Sequence, residues 1–405
     1  MIKNLPQGWR VEELGKITEI VRNGINVNQL DEGRIPVSRI ETISNGVIDF
    51  NRVKYINELS PEQFEQYLIH YNDILFSHIN SPIHIGKTAI YKENRKIIQG
   101  INLLLIRIKN ENADYVNYYI KKIREENYFY TRCNKAVNQA SIRQSEILKI
   151  PLPLPPLHQQ EKIVKVLDNS ASLLEQQKQL IEKYDVFLKS KFIEMFGDPI
   201  TNPMAWEILK LTDIFQIIDG DRGKNYPKQE DFSEKGFCLF LNAKNVTKEG
   251  MNLDVTQYIS ENKDTLLNKG KLKRYDFVIT TRGTIGNIGF YSDKILEEHI
   301  RINSGMAILR LIKKEISHIY LNEYLKNPLF QSYLRDITSG SAQPQISITN
   351  LNKTKVTVPP IELQNKFASI VEKIEAIKEK ETQKLNHLET LHVSLMDKAF
   401  KGEIG

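Results

Sequence analysis

At 405 residues, with 40% hydrophobic and 26% charged positions and a mean hydropathy of −0.39, the chain has room for two or three domains, each with its own core. No apolar run reaches the length of a membrane span, and Met1–Glu13 lacks the apolar core of a signal peptide, so a cytoplasmic protein with no membrane partner is expected. The net charge of +6 resides in the globular segments: residues 1–156 hold 21 Lys/Arg against 17 Asp/Glu and residues 197–360 hold 22 against 19, a balance compatible with nucleic-acid binding.

Residues 1–150 read as a mixed, strand-rich domain. Short β-branched and aromatic runs (Asp73–Phe76, Thr88–Tyr91, Leu103–Ile108) alternate with Gly, Asn and Pro turn signals, and a helix is expected near Val116–Glu126. Proline-rich Pro151–Pro156 reads as a stiff, extended connector. From Leu157 the period changes. Val166, Leu173, Leu180 and Phe187 recur every seven residues, and so do Leu167, Leu174, Ile181 and Leu188, giving a helix with a wide apolar stripe. Gly197-Asp198-Pro199 stops it, closing a connector-plus-helix segment at 151–199. Residues 200–355 form a second globular segment. Residues 356–405 repeat the connector and helix, with Phe367, Ile370, Ile374, Ile377, Leu385, Leu388, Leu391 and Leu395 as the stripe.

The second half therefore restates the first at an interval of about 204 residues. Pro155, Pro156, Leu157, Gln160 and Lys162 are answered by Pro359, Pro360, Ile361, Gln364 and Lys366. Trp9 and Leu14 are answered by Trp206 and Leu211, and Arg107 by Arg310. Such a period is too long for a solenoid and marks a duplicated domain-plus-helix unit. A 40-residue helix is about 60 Å long. Its simplest partner is the other copy, in an antiparallel intramolecular coiled coil with the two domains at opposite ends. The fold class expected is α+β: two similar strand-rich domains separated by two long helices, with pseudo-two-fold symmetry. The expected seam includes Val166, Leu173, Leu180, Phe187, Ile370, Ile374, Ile377, Leu388 and Leu395.

No phosphate-binding Gly-rich loop and no zinc-spaced His/Cys cluster is present, and Cys133 and Cys238 fall at non-equivalent places, as ordinary core residues would. Asn327-Pro328-Leu329-Phe330 is similar to the Asn-Pro-Pro-Phe loop of adenine-N6 methyltransferases, but no Gly-rich cofactor loop precedes it, and Asn-Pro there is expected to start a helical turn. The globular segments instead carry paired polar loops. Ser77–Lys87 matches Thr281–Asn287, and Asn138–Arg143 matches Ala342–Ser347. Arg, Asn and Gln pair with base edges. The loop residues expected to touch DNA are Asn80, Lys87, Gln139 and Arg143 in the first domain, and Arg282, Thr284, Asn287, Gln343 and Gln345 in the second.

In its Pro-Pro-Leu…Gln-Gln-Glu-Lys and Pro-Pro-Ile…Gln-Asn-Lys blocks, and in its order of domain, helix, domain, helix, the chain resembles the specificity subunits of Type I restriction–modification enzymes. Thr281–Gly286, Gly340–Ile346, Met195–Pro199 and Ala399–Gly402 fit the same pattern. The resemblance implies two target-recognition domains, each reading half of a bipartite site in double-stranded DNA. The helices would set the spacing and dock two methyltransferase subunits, joined by two restriction subunits acting as motor and nuclease. It also implies no catalysis and no cofactor in this chain, since S-adenosylmethionine, ATP and Mg would be bound by partners. The alternatives are a free-standing adenine-N6 methyltransferase and a protein-only coiled-coil scaffold. Ser81-Pro82-Ile83-His84 departs from the second domain's Arg-Gly-Thr turn, which leaves the alignment of Ser77–Lys87 open.

Overall fold

The longest apolar runs become sheet strands covered on both faces. In the first half of the chain, Thr18–Asn23, Leu103–Ile108, Ile74–Ser77 and Thr88–Ile90 lie side by side, in that order, in a four-stranded antiparallel sheet. In the second half, Phe215–Asp219, Met306–Leu311, Phe277–Thr280 and Ile288–Phe290 repeat the order. Leu103–Ile106 are fully buried without alternation, because successive side chains enter two cores. Phe76, Leu104 and Ile106 point to the core shared with the helices, while Leu75, Leu103 and Leu105 join Val53, Ile69 and Tyr91 on the other face.

The computed structural model describes residues 5–136, 139–338 and 344–404. The chain divides into two units: Met1–Lys178 with Gln383–Gly405, and Gln179–Thr382. The same fixings recur in each. Buried Asp73 holds Arg107 at 2.7 and 2.8 Å, and buried Asp276 holds Arg310 at 3.0 and 2.7 Å. Each carboxylate also accepts a backbone N–H, from His70 and from Lys273 respectively. Removing one partner of such a pair strands a charge in the interior. The helix after each sheet, Ala113–Glu125 or His318–Lys326, is capped by Asn112 or Ser317. Its first-turn tyrosine then donates across the core, Tyr115 to the Pro153 carbonyl and Tyr320 to that of Thr357.

The prolines of the connector are not a free linker. Pro151–Leu154 is a strand paired antiparallel with Arg10–Glu13, as Lys355–Val358 is with Glu207–Lys210. A two-stranded ribbon has outer edges where no N–H is required, so Pro151 and Pro153 fit a strand that a sheet interior would reject. Asn327-Pro328 starts a new helix, as expected: Asn327 caps Pro328–Asp336, its side-chain oxygen accepting the Leu329 N–H at 3.0 Å.

The long helices span Leu157–Phe196 and Ile361–Lys401, and Gly197 and Gly402 follow them at φ +75° and +78°, the left-handed conformation that ends a helix. Within the first unit, Ser170 meets His392 at 2.5 Å and Lys178 meets Glu389 at 3.3 Å, so the two helices run antiparallel. Within the second, Lys378 donates to Asp185 at 2.6 Å and Phe192 packs edge-on against Phe367. The ends of both helices also complete the domain cores. Ile163, Leu167, Met396 and Phe400 belong to the first core, and Leu188, Phe192, Phe367 and Val371 to the second.

The seam is shifted from the expected row. Its positions on the first helix are Leu167, Ser170, Leu174, Gln177, Ile181, Tyr184 and Leu188, spaced by three and four residues. Val166 and Leu180 are only half-buried flanks, and Leu173 and Phe187 are 51% and 46% exposed. On the second helix Ile370, Ile374, Leu388 and Leu395 are half-buried, whereas Ile377 lies outside at 39% exposed.

Candidate nucleic-acid interface

In an antiparallel sheet, alternate strand ends share one edge, and here that edge collects the polar loops. In the first unit the Ser77 N–H donates to the Lys87 carbonyl at 2.8 Å, and the Gly86 N–H returns to Ser77 at 2.9 Å. In the second, Thr280 and Asn287 make the same bond at 3.0 Å, and Gly286 returns to Thr280 at 2.9 Å. Gly86 and Gly286 both have positive φ, and a Cβ on Gly86 would lie 2.3 Å from the Phe129 ring. Ser77 is thus equivalent to Thr280 and Lys87 to Asn287. The open alignment closes with a loop three residues longer in the first unit.

The second polar segment of each unit is drawn against the first. The Ile142 N–H donates to His78 and the Ile346 N–H to Thr281, both at 2.9 Å. Asn80 pairs with Ala140, and Arg282 with Gln345. The described residues among those expected to touch DNA therefore lie on paired loops in each unit, but not all have free side chains.

Asn80 donates to the Ser77 hydroxyl at 3.0 Å and accepts from the Ser81 N–H at 2.8 Å, so its amide chiefly holds its own turn. Asn287 donates to the Val246 carbonyl at 2.9 Å. Lys87 donates to the Ser44 carbonyl at 2.8 Å; burial first, then the Arg124 charge, push its amine below the usual lysine range. Gln139, Arg143, Arg282, Thr284 and Gln345 are exposed at their loops. Gln343 lies outside the described residues.

Some residues were overlooked. Arg222 follows the end of Phe215–Asp219 and donates to Asp219 at 3.1 Å and to the Ser304 carbonyl at 3.2 Å. The Arg282 N–H donates to Gly305, so the two arginines flank one turn. The Gly220-Asp221-Arg222-Gly223 run after an apolar strand was the available signal. In the first unit the Lys135 amine sits 3.6 Å from the Tyr130 ring centroid on the hairpin beside Gln139, and the Arg132 guanidinium 3.9 Å from that of Tyr128. Arg132, Lys135 and Arg143 are exposed on or next to this hairpin, and such cations suit phosphates.

The Asn-Pro-Leu-Phe segment contributes nothing to this surface: Asn327 is a helix cap and Phe330 is buried in the core. A separate cleft of about 1570 Å³ in the second unit lies between the Gly283–Asn287 loop and the long helices. It mixes acids and bases, Asp185, Glu323 and Glu375 with Lys189, Lys326 and Lys378, and so lacks the one-signed character of a phosphate track. Among the described residues, no group of three His, Cys, Asp or Glu could hold a metal, and no helix is long and apolar enough to cross a membrane.

Sequence comparison gives the duplication its context. The family described as Type I restriction modification DNA specificity domain matches twice, at residues 6–183 and 203–390. A putative type I restriction enzyme MjaX specificity subunit from Methanocaldococcus jannaschii is 27% identical over 422 aligned residues, covering 100% of this chain and 95% of the relative. The type I restriction enzyme EcoKI specificity subunit of Escherichia coli is 21% identical, covering 99% and 90%. The fold is shared with a chain of a type I R-M system described for its complex assembly and conformational transition, at a TM-score of 0.60, 17% identity and coverage of 99% and 100%. It is also shared with the type I S subunit from M. genitalium, at a TM-score of 0.50, 17% identity and coverage of 98% and 97%. With both halves matched and the same backbone frame built twice, the chain belongs to the Type I restriction–modification DNA specificity family.

Proposed function

We propose that this chain is the DNA sequence-recognition subunit of a Type I restriction–modification complex, and that each globular domain reads one half of a bipartite site. The observation that carries this is a frame built twice with different side chains on it. Ser77/Lys87 and Thr280/Asn287 close the same turn, yet exposed Gln139 and Arg143 lie beside one and Arg282, Thr284 and Gln345 beside the other. Shared scaffolding with divergent exposed chemistry suits two readers of different sequences. Phosphate contacts from the basic residues would supply salt-dependent affinity, and the loop side chains discrimination.

On this reading the chain is non-catalytic and acts in the cytoplasm. Two methyltransferase subunits dock on the long helices, and two restriction subunits join the complex. S-adenosylmethionine, ATP and Mg belong to those partners. The outward apolar residues Val186, Phe187 and Ile193 on the first long helix give a methyltransferase subunit a surface to pack against.

The test is to assemble the chain with its methyltransferase partners and to sequence methylated adenines in DNA exposed to the complex. A site with two defined halves and a fixed gap is expected. Arg282→Ala should relax one base of one half, by about 1–3 kcal/mol, and leave the other half unchanged. Equal loss in both halves would contradict modular reading.

A further inference from the structure

The longer loop of the first unit ends in an apolar tip. Ser77 to Gly86 encloses eight residues where Thr280 to Gly286 encloses five. The addition folds as a tight turn, with the His84 N–H donating to the Ser81 carbonyl at 2.9 Å and Pro82 fixing φ inside it. Arg124, at the end of helix Ala113–Glu125, grips the loop from behind. Its Nη2 donates to the Ile83 carbonyl at 2.9 Å and its Nε to that of Ile85 at 3.2 Å. Ile85 is buried, whereas Ile83 is 70% exposed.

A lone exposed isoleucine means little by itself. Here Arg124 fixes the backbone carbonyls of Ile83 and Ile85, and the β-branch of Ile83 restricts χ1, so little freedom is left to lose on contact. Of the polar side chains around this turn, Asn80 is committed to Ser77 and Ser81, and the His84 imidazole is half-buried, held below the usual histidine range by burial first and then by the Lys87 and Arg124 charges. What the tip presents outward is the apolar Ile83 side chain, with the Arg124 guanidinium behind its carbonyl. In duplex DNA the major groove displays one apolar base feature, the C5-methyl of thymine, flanked by phosphates.

We propose that Ile83 is a specificity-determining residue that reads a thymine methyl in the half-site of the first domain. The inference rests on the DNA-reading function proposed above and adds the chemistry of one contact. The second domain has polar Arg282-Gly283-Thr284 at the corresponding turn and makes no such contact there.

The experiment uses the chain assembled with its methyltransferase subunits and duplexes carrying the mapped site. The half altered by Arg282→Ala belongs to the second domain, so the other belongs to the first. Each thymine of the first-domain half, on either strand, is replaced in turn by 2′-deoxyuridine, which lacks only the methyl. Wild-type binding should weaken about fourfold at one position, the equivalent of about 0.8 kcal/mol for one buried carbon. Ile83→Ala should bind the thymine and uracil duplexes alike, with wild-type behaviour at the other half. Equal wild-type binding at every position overturns the proposal, as does a first-domain half without thymine. A penalty that survives in Ile83→Ala also overturns it, and so does equal weakening on both duplexes, which would mark a wedge between bases. If the complex modifies no defined site at all, the DNA-reading function itself falls and this contact with it.

Discussion

His78 shows how much one buried side chain decides in this fold. It sits where the second unit has Thr281, with its carbonyl accepting the Ile142 N–H just as Thr281 accepts that of Ile346. Burial drives the imidazole pKa down to about 4, opposed only by a hydrogen bond with the Asn102 backbone. The folded protein therefore holds His78 neutral, while the unfolded chain protonates it near 6.5. Between those values the unfolded state binds the extra proton, so stability falls as pH drops from about 6.5 to about 4 and this contribution is level outside that window. The difference corresponds to about 3 kcal/mol. His78→Thr, borrowing the residue of the second unit, should flatten urea-unfolding stability across that window relative to wild type; an unchanged slope would place the acid sensitivity in other groups. The same scale shows which of the expected contact residues already spend side-chain groups within the protein. Asn80 and Asn287 look like free base readers in a polar loop, yet their amides are committed to Ser77, Ser81 and Val246. A sequence displays a donor and an acceptor, but not whether the backbone has already taken them.

At the scale of elements, the duplication, three strands of the first sheet and both long helices were legible, because apolar runs and heptad spacing leave a trace. The connector strands Pro151–Leu154 and Lys355–Val358 were not. Gln160 and Gln364 illustrate how closely the copies agree: each donates to the carbonyl of the proline five residues before it, at 2.9 and 2.7 Å, and accepts the N–H of a cap residue, Asn112 or Ser317. The choice of seam was not legible. Two neighbouring apolar rows run down the first long helix, and a one-residue slip exchanges them. Ser170 and Gln177 are buried within the true seam and lower its apparent hydrophobicity. Polar residues at such positions disfavour slipped or reversed pairings at some expense in stability. Leu188 and Phe187 separate the two rows by experiment. Leu188 is buried in the second core and Phe187 is 46% exposed. Leu188→Ala should destabilise the second unit by about 2–5 kcal/mol. Phe187→Ala should stay within about 1 kcal/mol in urea melts of the isolated chain. It should instead weaken assembly with a methyltransferase subunit, measured by titration calorimetry. A larger loss of stability for Phe187 than for Leu188 would restore the rejected row.

At the scale of the whole molecule, the proposed reading of two half-sites assigns their separation to the long helices. An α-helix rises 1.5 Å per residue, so a heptad adds about 10.5 Å while keeping the same face toward its partner. On B-form DNA at about 3.4 Å per base pair, that length corresponds to roughly three base pairs. The insertion must be made in both helices at matched positions, between Lys178 and Asp185 in the first and between Lys378 and Glu389 in the second, because the pairs Lys178–Glu389 and Lys378–Asp185 are antiparallel. An insertion in one helix alone would shift its remaining residues against the partner and break one of these pairs. The matched double insertion should leave both half-sites as they are and lengthen the gap that the assembled complex accepts by about three base pairs. The positions of methylated adenine measure this directly. A shorter insertion of three or four residues in each helix would rotate the faces as well as lengthen the rods, and modification should then fall sharply. If the heptad variant modifies DNA with the original gap, the helices hold the domains without measuring the distance between their targets, and the length of the spacer must be set by the partner subunits.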